Sequence, residues 1–275
     1  MQSCGVLYIA TGASYLEEAR RSAQSVKKHS PTLSIGVVTD QSIQPDADFD
    51  IVLDVSANTV LEEHQERYLT QDKVPYYRKI LPLFQSPFQK TIFLDSDTFV
   101  AAPLDELFTL LDHFDLLVTP AHIVHDYRFE REEPPFSQIP AAFGYFNTGL
   151  IAFRKSPASD AFLHRWLHNF IQHTARFTVN DQPAFRLTLF EDIASFHVLP
   201  ARYNIISWTP FIVPAGGGIV MLHGRNPWLQ KWIAAFHGGP HPTLVGPLPW
   251  RASLIYQTAR ILNFLRRHLT KRPNR

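Results

Sequence analysis

The sequence predicts an α/β domain with a mostly parallel central sheet and flanking helices. Three observations carry that expectation. Residues 6–10, 15–29 and 34–39 read as strand, helix and strand, and a helical crossover of this length joins parallel strands. Thr11, Asp40, Asp95, Asp97 and Thr119 all fall at the carboxyl ends of predicted strands, the rim on which open α/β sheets bind ligands. The chain has 275 residues, 45% hydrophobic and 19% charged, enough for one large domain with a substantial core.

The elements follow in order. Apolar residues 6–10 form the first strand, and 11–14 a turn with Ser14 as the expected cap of the helix over 15–29. Pro31 follows that helix. Strands are expected over 34–39 and 49–55, and a helix over 76–84 despite Pro82. The apolar run 91–94 is the strand that delivers Asp95 and Asp97. A helix opens at Leu104, and a strand is expected over 115–119. Residues 121–142 form a long polar loop with Pro134-Pro135, and a loop of that length in a compact domain is usually functional. Next come a strand over 146–153, a helix over 159–173 with Trp166 on its apolar side, and a helix to Phe190 capped within Asn180-Asp181-Gln182. Beyond Pro200 the pattern is irregular, with Gly216-Gly217-Gly218 before a short strand at 219–222, and the Pro- and Gly-rich stretch 238–249 reads as a linker.

Bulk properties exclude several classes. A net charge of +1 is not that of a generic nucleic-acid binder. The single cysteine, Cys4, rules out an internal disulfide and fits a reducing compartment. There is no apolar run of about 18 residues and no basic region leading into a long apolar stretch, so a cytoplasmic location is the expectation.

Asp95 and Asp97 are the most informative pair. On a strand, residues i and i+2 point to one face, so the two carboxylates are expected to converge while Ser96 faces away. Converging carboxylates repel unless a positive charge lies between them. Hard oxygen ligands suit Mn²⁺ or Mg²⁺, which such sites hold through one or two carboxylates plus substrate phosphates.

The motifs Tyr77-Arg78-Lys79, Phe93-Leu94-Asp95-Ser96-Asp97-Thr98, Phe146-Asn147-Thr148-Gly149-Leu150, Asp181-Gln182, His223-Gly224 and Pro227-Trp228 occur in that order. This ordered set resembles the retaining GT-A glycosyltransferases of the glycogenin and bacterial lipopolysaccharide galactosyltransferase group, over residues 6–232. Residues 146–190 also resemble the plant-type nucleotide-diphospho-sugar transferases. The resemblance implies a GT-A fold over 1–248, a nucleotide-diphosphate sugar donor, UDP-linked, and a glycan or glycolipid acceptor. It implies that Asp95, Asp97 and His223 hold Mn²⁺ or Mg²⁺, with Ser96 between them at the donor. Arg78 and Lys79 would contact the donor sugar and diphosphate, although Lys79 taken alone reads as a solvated helix face. Ala10, Thr11, Gly12 and Tyr15 would form the nucleobase pocket, and Asp40 contributes either there or to the turn. Asn147 would reach the donor or acceptor sugar, though an Asn-Thr-Gly turn needs no function. Asp181 would bind donor hydroxyls, or simply cap its helix, and Gln182 would lie beneath the anomeric carbon. A glutamine amide is a poor nucleophile, so front-face transfer with retention is preferred to a covalent intermediate, and Asp126 is a weaker alternative nucleophile or an acceptor contact.

The chain departs from the pattern after His223. The spacer to Pro227-Trp228 is short, and Asn226 stands where relatives carry a phosphate-binding lysine. Arg225 is the available cation, and it would grip a phosphate bidentately. Three other functions compete. A nucleotidyltransferase would want a basic, Gly-rich loop after the first strand. A non-catalytic sugar-nucleotide binder would show affinity without turnover. A glycoside hydrolase would need carboxylates flanking the bond from opposing sides. Residues 250–275 contain no acid and carry Leu254, Ile255, Ile261, Leu262, Leu265 and Leu269 on one helical face. That tail, 249–275 as a unit, is either an ordinary packed helix with a basic end or an interfacial anchor on anionic lipid.

Overall fold

The structure is a computed structural model that describes residues 2–55, 79–121, 134–173, 180–206, 211–213, 218–225 and 243–245. Its strands are β1 (Gln2–Ala10), β2 (Ser34–Thr39), β3 (Ile51–Asp54), β4 (Phe88–Leu94), β5 (Thr98–Val100), β6 (Leu116–Pro120), β7 (Phe146–Arg154), β8 (Phe196–Val198), β9 (Ile205–Ile206), β10 (Phe211–Val213), β11 (Met221–His223) and β12 (Thr243–Val245). Its α-helices are α1 (Ala13–His29), α2 (Glu106–Leu110), α3 (Pro157–His173) and α4 (Gln182–Phe190).

The central sheet has seven strands in the order β3-β2-β1-β4-β7-β6-β8. β3, β2, β1 and β4 run parallel, and β7 is antiparallel to both its neighbours, β4 and β6. The chain winds outward from β1 through β2 to β3, then returns to place β4 on the other side of β1. The direction of winding therefore reverses between β1 and β4, and a crevice opens at their carboxyl ends. Both faces of the sheet are covered. α1 buries Leu16, Ala19, Ala23 and Val26 against Val6, Tyr8 and Leu94. On the other face α3 and α4 pack Phe162, Trp166, Phe170 and Phe185 over Leu7, Phe93 and Ile151. The alternation of Val6 and Tyr8 with Leu7 between the two clusters is that of a strand buried on both sides.

Several boundaries differ from expectation. α1 begins at Ala13, and Ser14 does not cap it: the cap position is Gly12, at φ 96°, with no side-chain cap bond. Gly12 is held instead by its N–H donating to Asp40 Oδ1 at 2.8 Å, which ties the β1–α1 turn to the end of β2. Residues 81–85 form a 3-10 helix, with Pro82 at its start. Part of the expected linker, Thr243–Val245, pairs antiparallel with β10. The run from 91 to 100 is two strands in two sheets, because β5 leaves the central sheet and joins β11 and β9.

Candidate functional site

Asp95 and Asp97 sit on the turn between β4 and β5, not on a strand. β4 belongs to the central sheet and β5 to the small one, so the chain must change direction between them. Asp95 N–H donates to Gly149 O (2.9 Å), Thr98 Oγ1 to Asp95 O (2.8 Å), and Gly224 N–H to Asp97 O (2.9 Å). The carboxylates converge because this turn is clamped from three sides, and strand alternation is not the cause.

His223 is the last residue of β11 rather than a cap beyond it. It pairs with Thr98 on one side and Ile206 on the other. That register brings its Nε2 to 3.5 Å from Asp95 Oδ2 and 3.3 Å from Asp97 Oδ1. The ring lies over Gly149, where a Cβ would overlap it, so the Asn-Thr-Gly turn carries glycine to make room for the imidazole. Behind the ring, Asn204 Oδ1 is 3.0 Å from Nδ1, and Asn204 itself is fully buried. One ligand atom from each of Asp95, Asp97 and His223 lies within 4.8 Å of the others, two carboxylate oxygens and one imidazole nitrogen. This donor set fits a hard divalent cation of the Mn²⁺ or Mg²⁺ kind.

Charged neighbours surround the cluster. Lys79 is not on a solvated face: its Nζ lies 2.9 Å from Asp95 Oδ1, 3.1 Å from Thr148 Oγ1 and 3.6 Å from Asp181 Oδ2. Burial would lower its pKa, but Asp181 and Asp95 outweigh that and raise it. Asp181, 2% exposed, stands at the foot of α4, held there by Trp166 Nε1 donating to its backbone carbonyl at 3.4 Å. Its side chain makes no cap bond; Asn180 Oδ1 accepts the Gln182 N–H instead, at 3.2 Å. Asp181 Oδ2 finds no hydrogen-bond partner among the described residues, and burial pushes the carboxyl above its usual range. Asp97 goes the other way. Burial would raise it, but His223 and Arg225 together hold it below that range.

Arg225 lies at the edge of the cluster. Its Nη1 is 3.3 Å from Asp97 Oδ2, its Nε and Nη2 grip Glu18 at 2.6 and 2.9 Å, and its guanidinium carbon is 5.7 Å from the Tyr15 ring centroid. Ser96 Oγ also donates to Glu18, at 3.3 Å. The Tyr15 ring is half exposed beside the end of β1, where Ala10, Thr11 and Gly12 follow one another, and the Gly12 N–H is already engaged by Asp40. Four carboxylates (Glu18, Asp95, Asp97, Asp181) thus meet two permanent cations (Lys79, Arg225) among the described residues, an imbalance that a divalent cation would neutralise. Glu18, Thr148 and Asn204 were not among the sequence candidates. Arg78, Asp126, Asn226, Pro227, Trp228 and the 250–275 tail lie outside the described residues.

Comparison with known proteins completes the picture. No curated protein sequence matches the chain. Among solved structures, mouse xyloside xylosyltransferase 1 in its apo form superposes with a TM-score of 0.57 at 16% identity, covering 81% of this chain and 98% of that one. The galactosyltransferase LgtC, solved with donor and acceptor sugar analogs, gives 0.50 at 14% identity, covering 90% and 99%. The glycosyltransferase GlyE of Streptococcus pneumoniae TIGR4 gives 0.53 at 15% identity, covering 84% and 60%. At these identities the likeness is one of fold, and the fold is GT-A. The family model described as glycosyl transferase family 8 matches residues 6–210, and by that match the chain belongs to glycosyl transferase family 8.

Proposed function

We propose that the protein is a metal-dependent glycosyltransferase that moves a hexosyl or pentosyl group, with retention, from a UDP-linked sugar to a hydroxyl of a glycan or glycolipid. The observation that carries this reading is the Asp95–Asp97–His223 cluster at the carboxyl end of β4, beside the end of β1 where the sheet order reverses. Mn²⁺ or Mg²⁺ held there supplies Lewis-acid stabilisation of the charge that develops on the diphosphate leaving group.

The chain's own residues do the rest. Tyr15 offers a flat apolar face to the nucleobase beside Ala10, Thr11 and Gly12. Arg225, next to Asp97, offers a planar fork to a phosphate. Lys79 lies between Asp95 and Asp181 and offsets their crowding. Asp181 Oδ2, desolvated and lacking a donor, is an acceptor for sugar hydroxyls. Gln182 follows it at the start of α4, beneath the sugar in this reading, and its weak nucleophilicity favours front-face transfer. Arg78 is assigned to the donor sugar. Asn147 Oδ1 is already engaged by Gly149 and Asn204, so a sugar contact there falls to its Nδ2. Residues 122–133, within the 121–142 stretch expected to close over the donor, lie outside the described residues.

No helix among the described residues is long and apolar enough to cross a membrane. The acid-free 249–275 tail, distinct from the 1–248 catalytic domain, supports a peripheral site on anionic lipid at the cytoplasmic face, where a glycolipid acceptor would lie. Flotation with and without anionic vesicles tests the tail. The central test is a screen of nucleotide-sugars for Mn²⁺-dependent release of nucleoside diphosphate. D95A and D97A should abolish it; full activity in either, or binding of every donor without release, sinks the reading.

A further inference from the structure

Directional hydrogen bonds behind the candidate metal site fix more than position. Asn147 Oδ1 accepts the Gly149 backbone N–H at 2.8 Å, so that atom is an acceptor. The neighbouring Asn204 atom, 2.7 Å away, must therefore be a donor, its Nδ2. Thr119 says the same independently. Its hydroxyl hydrogen goes to the Asn147 carbonyl (3.1 Å), so its oxygen receives the second Nδ2 hydrogen of Asn204 at 2.9 Å. With both amide hydrogens assigned, Asn204 can turn only Oδ1 toward His223 Nδ1, at 3.0 Å. An acceptor there requires a proton on Nδ1. In the neutral imidazole the other nitrogen, Nε2, then carries a lone pair, and it is Nε2 that faces Asp95 and Asp97.

We infer that Asn204 is a positioning residue: held in one orientation by Asn147 and Thr119, it keeps the proton of His223 on Nδ1 and so leaves Nε2, which faces the Asp95–Asp97 pair, as the nitrogen that gives up its proton to take a metal ion. The inference rests on the proposed metal-dependent reading. It deepens that reading by naming the groups that select the ligand's tautomer, a role that outer hydrogen-bond partners of metal-binding histidines play generally. Asn204 is fully buried and all three of its polar hydrogen-bonding positions are matched, so the orientation has no competing arrangement.

The first test needs no variant. Nitrogen-15 NMR of the protein with Mg²⁺ present should show a protonated Nδ1 and an unprotonated Nε2; a ring with no proton on Nδ1 overturns the inference. The second uses Asn204→Leu and Asn204→Asp, with Mn²⁺ binding measured by calorimetry in the absence of sugar. N204L should shift the ring toward the Nε2–H form and weaken Mn²⁺ binding by about 10- to 100-fold. N204D keeps an oxygen toward Nδ1, and should retain the Nδ1–H form and bind more tightly than N204L. An N204L protein that keeps the Nδ1–H form and wild-type Mn²⁺ affinity overturns the role of Asn204 alone. An H223A protein that binds Mn²⁺ as tightly as wild type instead overturns the metal role of His223, so failure of the relay and failure of the underlying reading give different results. If N204L does not fold, the wild-type ring signals decide.

Discussion

At the scale of single residues, Asp181 is a carboxyl whose charged form the fold disfavours. Asp181 is buried, one of its oxygens lacks a hydrogen-bond partner, and its pKa is raised. A carboxyl whose folded pKa lies above its unfolded value binds its proton more tightly when folded, so its ionised form costs stability at neutral pH. D181N should therefore raise thermal stability at pH 7, by on the order of 1 kcal/mol, while lowering donor turnover. The gain should shrink as pH falls through the raised pKa, where the wild-type carboxyl is already neutral. Melting curves and turnover across pH check both halves; a destabilised D181N at pH 7 contradicts the account. Gly149 makes the opposite case, a residue present for what it lacks. G149A would drive a methyl group into the His223 ring, with an expected loss of about 1–3 kcal/mol and weaker Mn²⁺ binding. Unchanged metal affinity in a folded G149A would show that the ring can yield.

At the scale of elements, the turn that carries Asp95 and Asp97 is held by its neighbours through a one-way chain of hydroxyls. Thr98 Oγ1 donates to the Asp95 carbonyl, so Ser22 Oγ must donate to Thr98 (2.7 Å) and Tyr8 to Ser22 (2.8 Å). The chain runs from β1 through α1 to β5 and is buried throughout. Burial pushes the Tyr8 hydroxyl well above its ordinary pKa, in keeping with a phenol that stays protonated and donates. T98V preserves shape but removes the hydrogen bond to Asp95 and strands Ser22. A cost of about 1–3 kcal/mol is expected, with metal affinity falling alongside stability. Denaturant unfolding and metal titration on the same samples separate the two effects.

At the scale of the whole molecule, Asp115 joins β6, β7 and β8. It accepts from Ser195 Oγ (2.6 Å), Ser156 Oγ (2.9 Å) and Arg154 Nε (3.0 Å). Burial would raise its pKa; these bonds outweigh burial and hold it below the usual carboxylate range. The sign is opposite to that of Asp181. The unfolded state binds the proton more readily, so the stabilisation is fully present above the unfolded value and is lost as pH falls through the folded one. D115N should cost about 1–3 kcal/mol at pH 7 and should lose less stability than wild type as the pH drops below about 4. Parallel wild-type and D115N curves through that range would rule Asp115 out as a source of acid lability.

The sequence by itself determined the α/β class, the parallel run of strands and the helices that cover them. Apolar runs of the right length bounded by Thr, Asp and Gly leave little else for the backbone to do, and the strand expected over 34–39 matches β2 residue for residue. It also singled out Asp95 and Asp97, whose residue type and spacing carry a chemistry readable without coordinates, and His223 through the resemblance that the ordered motifs carry. Local periodicity could not tell that the aspartates sit on a turn, since the cause is the split of one apolar run between two sheets. Nor could it tell that Lys79 turns into the site, because its partner Thr148 is 69 residues away. Only the tertiary structure brought Glu18 to Arg225 across 207 residues and set Asn204 behind His223. A hydrogen-bond network of this kind depends on which strands become neighbours, and strand order is a property of long-range packing that no local pattern records.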